Sequence, residues 1–150
     1  MVESYDSVEK DPRDPLEKIN RHLWTFTEYA DEYVARPVSV FYADTMPVFL
    51  REGLFNISQH FYEPSTVINH LLLLEFDKAA ATTGRFAVNT TVGLFGFFDP
   101  AADMGLERKR KALGEVMGKY GVPNGPYLII PGLRASSVRE EVGDYVDKYY

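Results

Sequence analysis

Over most of the chain, hydrophobic and polar positions recur with the period of a helix. After a polar stretch over residues 1–13, read as a flexible leader, Asp14-Pro15-Leu16-Glu17 combines a cap, a proline suited to the first helical turn and a capping-box glutamate. Leu16, Ile19, Leu23, Phe26, Ala30 and Tyr33 follow at spacings of three and four. They form one stripe of a helix about 30 Å long that ends near Arg36, before Pro37. A short helical segment over residues 37–43 is expected next. Pro47 opens another helix, with Leu50, Leu54, Ile57 and Phe61 on one face, and Pro64 opens a third through Val67, Ile68, Leu71 and Leu72. Residues 77–88 include a run of small side chains, Ala79 to Gly84, that lets another backbone or an acyl chain approach closely. Leu106, Leu113, Val116, Met117 and Tyr120 predict a further helix stopped by Gly121 and Pro123. Residues 127–131 are extended at best. Ser137 and Glu140 form a last capping box before the stripe Val138, Val142, Tyr145 and Tyr149. The expected class is all-α, with residues 14–150 as a single helical domain.

One stretch breaks the pattern. Val92-Gly93-Leu94-Phe95-Gly96-Phe97-Phe98 is bulky and apolar, yet its two glycines make it a poor helix and a poor isolated strand. It is followed by Asp99-Pro100, where Asp99 reads as a cap or turn residue and is also the acidic residue most worth testing for chemistry.

Composition narrows the choices. The 150 residues, 45% hydrophobic and 25% charged, fit one globular domain. The 14% aromatic share points to a thick core or to surfaces that meet something apolar. A net charge of -6 argues against general nucleic-acid binding. The basic run is Arg108-Lys109-Arg110-Lys111, which on a helix spreads around the axis as a solvated face or serves a phosphate or lipid headgroup. Without cysteine there is no disulfide framework, thiolate metal site or cysteine nucleophile. The longest apolar runs, at 71–74 and 92–98, fall well short of the ~20 residues of a spanning helix. His22, His60 and His70 lack ligand spacing, and there is no nucleophile elbow, phosphate-binding glycine loop or zinc-protease motif. His70, among leucines, reads as a core or boundary residue, and Ser136 and Ser137 as caps. No catalytic residues, metal or cofactor are expected.

A series of short motifs carries a family resemblance: Asp14-Pro15-Leu16-Glu17 with Asn20-Arg21, Arg36-Pro37-Val38, Tyr42, Asn56, Glu63-Pro64 and Asn69. It continues through Arg85-Phe86, Asn89-Thr90-Thr91, Gly93, Gly96, Asp99, Gly114, Gly118, Gly121-Val122, Gly125-Pro126-Tyr127, Pro131, Arg139 and Gly143. In this order and spacing the chain resembles the VacJ/MlaA family of Gram-negative outer-membrane lipoproteins. The resemblance implies an all-helical, ring-like protein with a glycine-rich apolar loop, seated on the periplasmic side of the outer membrane. There it withdraws mislocalised phospholipid from the outer leaflet through an amphipathic channel. It also implies trimeric porins and a soluble periplasmic lipid carrier as partners. Three departures stand out. The family's acylated N-terminal cysteine is absent, which leaves an engineered soluble version or an anchorless member as alternatives. Members usually run on beyond Asp147, so Tyr150 reads as a truncation point. Arg134 stands where a glycine is expected in the turn after Pro131.

A phospholipid headgroup crosses hydrocarbon only along a polar path, because desolvating it without partners costs many kcal/mol. On the resemblance, Asn20, Arg21, Asn69, Arg85, Asn89 and Thr90 are the candidates for that path, Arg21 and Arg85 as phosphate donors. The alternative is that these side chains satisfy buried helix ends and turns. Gly93, Leu94, Phe95, Gly96, Phe97, Phe98 and Asp99 would form an apolar loop at the membrane, with Trp24 at headgroup depth. Residues 71–74 would face lipid or lie in a core helix. A competing reading is a soluble helical module that binds a porin or partner helix through its apolar segments.

Overall fold

The computed structural model describes residues 15–130 and 134–149. The fold is helical, with one small hairpin. In chain order it comprises α1 (Glu17–Ala30), a π-helical turn (Asp31–Ala35), α2 (Arg36–Thr45), α3 (Val48–His60), α4 (Glu63–Leu72), α5 (Phe76–Thr91), α6 (Pro100–Asp103), α7 (Leu113–Lys119), β1 (Tyr127–Ile130), β2 (Arg134–Ser137) and α8 (Val138–Tyr149). The all-α expectation holds. The stretch expected to be extended becomes β1, paired antiparallel with β2 in the register Tyr127 to Ser137.

Prolines 47 and 64 start helices as expected, Pro47 as the cap of α3 and Pro64 in the first turn of α4. The expected break at Pro37 does not occur. A proline ring inside a helix clashes with the carbonyl four residues back and leaves that carbonyl without a donor. Here the preceding turn widens, the Arg36 N–H reaching back five residues to the Asp31 carbonyl, and the helical path passes on into α2. The capping residue expected at Asp14 lies outside the described residues, as does the start of the turn after Pro131. The box before α8 is present: the Glu140 N–H donates to Ser137 Oγ and the Ser137 N–H to Glu140 Oε2, both at 3.4 Å.

The helix expected from Leu106 begins only at Leu113. Residues 106–112 run as an extended strap, because their carbonyls are taken by donors from other elements. Arg85 Nη1 donates to the Leu106 carbonyl, His70 Nε2 to Lys109 and Asn69 Nδ2 to Lys111. A helix would need those same oxygens for its own ladder. The basic run therefore lies on the strap and not around a helix.

Two helix pairs, α4 with α5 and α7 with α8, form the packed body, and α1 joins it through β1. At the α7–α8 crossing the backbones touch: a side chain on Gly143 would run into the Gly114 main chain. Polar side chains dominate the fully buried positions, and many large apolar ones are exposed. Among the described residues the buried apolar side chains are Ala79, Ala101 and Val116, whereas Asn20, His60, Glu63, Asn69, His70, Arg85, Asn89 and Asp147 are all buried. Every residue from Asp31 to Thr45 is exposed, including Tyr33, Val34, Val38 and Phe41. Of the stripe that the helical period marks on α1, Ile19 and Phe26 are exposed too, while Leu16, Leu23 and Ala30 are half-buried.

Candidate functional site

The polar interior centres on Arg85, placed by the middle of α5 with 1% of its surface exposed. Its Nη2 donates to both carboxylate oxygens of Asp99 at 2.8 and 2.9 Å, and its Nε donates to Glu63 Oε1 at 3.3 Å. Arg108, on the strap, joins the same acids: Nη2 lies 3.0 Å from Asp99 Oδ2 and Nε 3.8 Å from Glu63 Oε1. Two cations and two anions thus interlock where α4, α5, α6 and the strap meet. Such a group is held out of water only when its members satisfy one another. Burial alone would raise the Asp99 carboxyl, but the hydrogen bonds from Arg85 and Asn89 and the two guanidinium charges outweigh it and lower its pKa. For Glu63 burial prevails over the arginines, and its pKa is raised.

Asn89, one turn beyond Arg85 on α5, completes the cluster. Its amide donates to Asp99 Oδ1 at 2.9 Å and its carbonyl oxygen accepts from the Ala101 N–H at 3.1 Å. Asp99 also caps α6 through the Ala102 N–H, so the cap reading and an electrostatic role coincide. Between Asn89 and Asp99 the apolar stretch closes into a tight loop, with Gly96 N–H to Asn89 O at 2.8 Å and Phe98 N–H to Gly93 O at 2.9 Å. Leu94 and Phe95 hold positive φ of 51° and 57°, uncommon for non-glycine residues. A Cβ on Gly93 would meet the Phe98 and Asn89 carbonyl oxygens at 2.5 and 2.6 Å, and one on Gly96 would meet His60 Cβ at 2.5 Å.

The structure separates the loop's side chains. Leu94, Phe95 and Phe98 point out, Phe95 being 77% exposed, while Phe97 turns inward onto Gly53. Thr90 donates to the Phe86 carbonyl at 2.6 Å and lies 3.1 Å from His60 Nε2, whose ring stacks on Phe86. Burial, reinforced by the charges of Arg108 and Arg85, lowers the His60 pKa.

The other expected path residues lie elsewhere. Asn20 pairs with the backbone of β1, donating to the Tyr127 carbonyl at 3.0 Å and accepting from the Ile129 N–H at 3.2 Å. Arg21 forms an ion pair with Glu17 one turn earlier. Asn69 donates to Asp147 Oδ1 at 2.8 Å, and Asp147 Oδ2 accepts from the Leu113 N–H at 2.7 Å, so α8 caps α7 and holds α4 at one carboxylate. Arg85 and Asn89 are brought together, Thr90 bonds instead to His60 and the Phe86 carbonyl, and Asn20, Arg21 and Asn69 are not part of the cluster. Trp24 is half exposed and donates to Glu28. Leu71, Leu72 and Leu74 are exposed.

Sequence reasoning missed Glu63, His60, Arg108 and Asp147 as parts of these networks. Signals existed for Glu63, which stands in a helix-starting Glu-Pro pair, and for Arg108, which opens the basic run. Beside the cluster a small open pocket of about 10 Å³, room for one water-sized group, is lined by Glu63, Arg85, Arg108, Lys109, Arg110 and Tyr62, among others. Among the described residues no three histidine or acidic side chains could hold a metal ion, and no helix is long and apolar enough to cross a membrane.

Comparison with known proteins matches residues 12–150 to the family model described as MlaA lipoprotein. The intermembrane phospholipid transport system lipoprotein MlaA of Escherichia coli (strain K12) is 35% identical over 141 residues, 91% of this chain and 56% of that protein. An uncharacterized protein of Rickettsia prowazekii (strain Madrid E) is 33% identical over 136 residues, again 91% of this chain and 54% of its own. The chain thus spans about half the length of the curated relatives it matches. A solved structure presented as the structural basis for maintenance of bacterial outer membrane lipid asymmetry superposes with a TM-score of 0.86 at 33% identity. The match covers 91% of this chain and 71% of that one.

Proposed function

The chain belongs to the MlaA lipoprotein family, and from that premise we propose that it is an outer-membrane phospholipid transport component that helps maintain lipid asymmetry. The observation that carries the proposal is the inverted distribution of polarity: a charged and amide-rich interior inside helices that present Phe, Tyr, Leu and Val outward. In water such a surface loses about 25 cal/mol for each Å² of apolar area left exposed. Against acyl chains that penalty disappears, and the hydrogen-bonded interior stays shielded from hydrocarbon. Since no described helix can span a bilayer, we read the protein as seated in one leaflet, its helices arranged around a polar route for headgroups.

On this reading mislocalised phospholipid leaves the outer leaflet along that route and is handed to a soluble periplasmic carrier, with a trimeric porin beside the exposed α1–α2 rod. The protein's part is to lower the desolvation barrier for a headgroup, and no bond of the lipid is made or broken. Flotation with phosphatidylethanolamine and phosphatidylglycerol vesicles, followed by mass analysis of retained lipid, tests the proposal. Membrane partitioning with intact phospholipid bound is the expected result. A protein that stays aqueous and lipid-free overturns it, and lyso-lipid in the mixture would make it a hydrolase. Lipid-independent, saturable binding to a porin or partner helix would favour the interaction-module reading.

A further inference from the structure

The pocket beside the charge cluster contains an unfinished arrangement. Glu63 is 3% exposed, yet its Oε2 is buried without a hydrogen-bond partner, while Oε1 is shared by Arg85 and Arg108. A buried ionised carboxylate oxygen lacking a donor is expensive, and in native proteins it marks a place that something else completes. At the outer edge stand two cations whose charges the cluster does not consume. Arg110 lies over the Tyr62 ring at 4.2 Å, and Lys109 has no ion pair among the described residues. Arg85 and Arg108 are balanced by Glu63 and Asp99, so Lys109 and Arg110 leave the mouth net positive. The strap's pinned carbonyls fix both residues there.

An acceptor inside and cations at the rim complement a group that carries an anion next to a hydrogen-bond-donating cation. We propose that this pocket is a headgroup subsite for a phosphodiester ending in a primary ammonium, the chemistry of phosphoethanolamine. The ammonium donates to Glu63 Oε2, and Lys109 and Arg110 take the phosphate. An ammonium is about the size of a water molecule and fits where a quaternary ammonium, larger and without an N–H, does not. Entry requires Arg110 to swing off Tyr62, a side-chain motion. The inference rests on the phospholipid-transport reading and deepens it.

The test is a competition in which the full chain is equilibrated with vesicles holding equal amounts of phosphatidylethanolamine and its mono-, di- and trimethylated forms on identical acyl chains. Retained lipid is then quantified by mass spectrometry. Retention should fall along the methylation series, with roughly tenfold preference for the primary ammonium over the quaternary one, the ratio expected of one charge-assisted hydrogen bond. Glu63→Gln should bring that ratio close to one, and Lys109→Ala with Arg110→Ala should lower total lipid while keeping the ratio. Equal retention of all four lipids by the unmodified chain overturns the subsite and leaves transport standing, whereas no retained phospholipid removes the transport reading itself. Because the series varies the ligand and not the protein, it decides the matter even if Glu63→Gln fails to fold. Soluble glycerophosphoethanolamine that competes as well as the lipid would assign the site to a free phosphodiester and overturn the lipid form of the proposal.

Discussion

Replacing Asp99 by asparagine isolates the electrostatic contribution of the cluster, because size and shape are preserved. In the native protein Asp99 accepts two bonds from Arg85, one from Asn89, one from Arg108 and one from the Ala102 N–H. With asparagine, one oxygen becomes an NH₂ facing guanidinium donors, and the ionised group of Arg85, Arg108, Glu63 and Asp99 goes from neutral to one net positive charge. Breaking a buried pair by removing one partner costs about 3–5 kcal/mol. Asp99 has 19% of its side chain exposed against 1% for Arg85, which places the expected loss near the lower end, about 3 kcal/mol. In urea titrations of the lipid-reconstituted protein followed by circular dichroism, that loss moves the midpoint down by roughly 1–3 M for slopes of about 1–3 kcal/mol/M. The folded Asp99 pKa lies below its usual value. Its contribution is therefore complete above the unfolded pKa near 3.8 and disappears as pH falls through the folded value. Asp99→Asn should lose this part of the native acid sensitivity. A loss under about 1 kcal/mol, or an unchanged acid limb, would refute the view that the cluster holds the interior together.

In the same titrations Gly143→Ala should destabilise the protein by about 1–3 kcal/mol, because its methyl group meets the Gly114 backbone, while Gly105→Ala meets no neighbour and loses only what its positive φ demands. Phe95→Asp should weaken vesicle flotation severalfold and leave the unfolding free energy within about 0.5 kcal/mol, since the ring is exposed. Glu75 is held down to about 2 by hydrogen bonds from His70, Lys78 and Lys119. Its support is full above about pH 4.5 and is lost on acidification toward 2, so Glu75→Gln should flatten the stability profile over that range.

Signals in the sequence are legible where the chemistry is local. Pro47 and Pro64 start helices, Ser137 and Glu140 cap α8, and the glycines at 93 and 96 mark the loop that follows α5 where the period fails. The strap at 106–112 is illegible because what unwinds it comes from Asn69, His70 and Arg85, far away in the chain. Pro37 misleads because one widened turn absorbs it. A side chain at Gly93 or Gly96 meets the protein at about 2.5 Å. Gly93→Leu and Gly96→Leu therefore strike folding as directly as any lipid step. The deepest ambiguity lies in the apolar stripe itself. A period of about 3.6 residues shows that Ile19 and Phe26 share a face, but the same stripe serves a core in water or an outer surface in lipid. For the candidate site, the types and positions of Arg85, Asn89 and Asp99 are visible in the sequence, but their partners Glu63 and Arg108 depend on the tertiary arrangement.

The strap is held through oxygens that every amino acid possesses. Arg85, His70 and Asn69 grip main-chain carbonyls at 106, 109 and 111, so the identities of the gripped residues are irrelevant to the grip. Mutational tolerance is accordingly lopsided. The three holders admit almost no change, whereas the residues they hold are open to variation. Natural divergence at 106, 109 and 111 can then retune what the pocket rim presents without loosening the frame that carries it, while Arg108, tied to Glu63 and Asp99, stays with the frame.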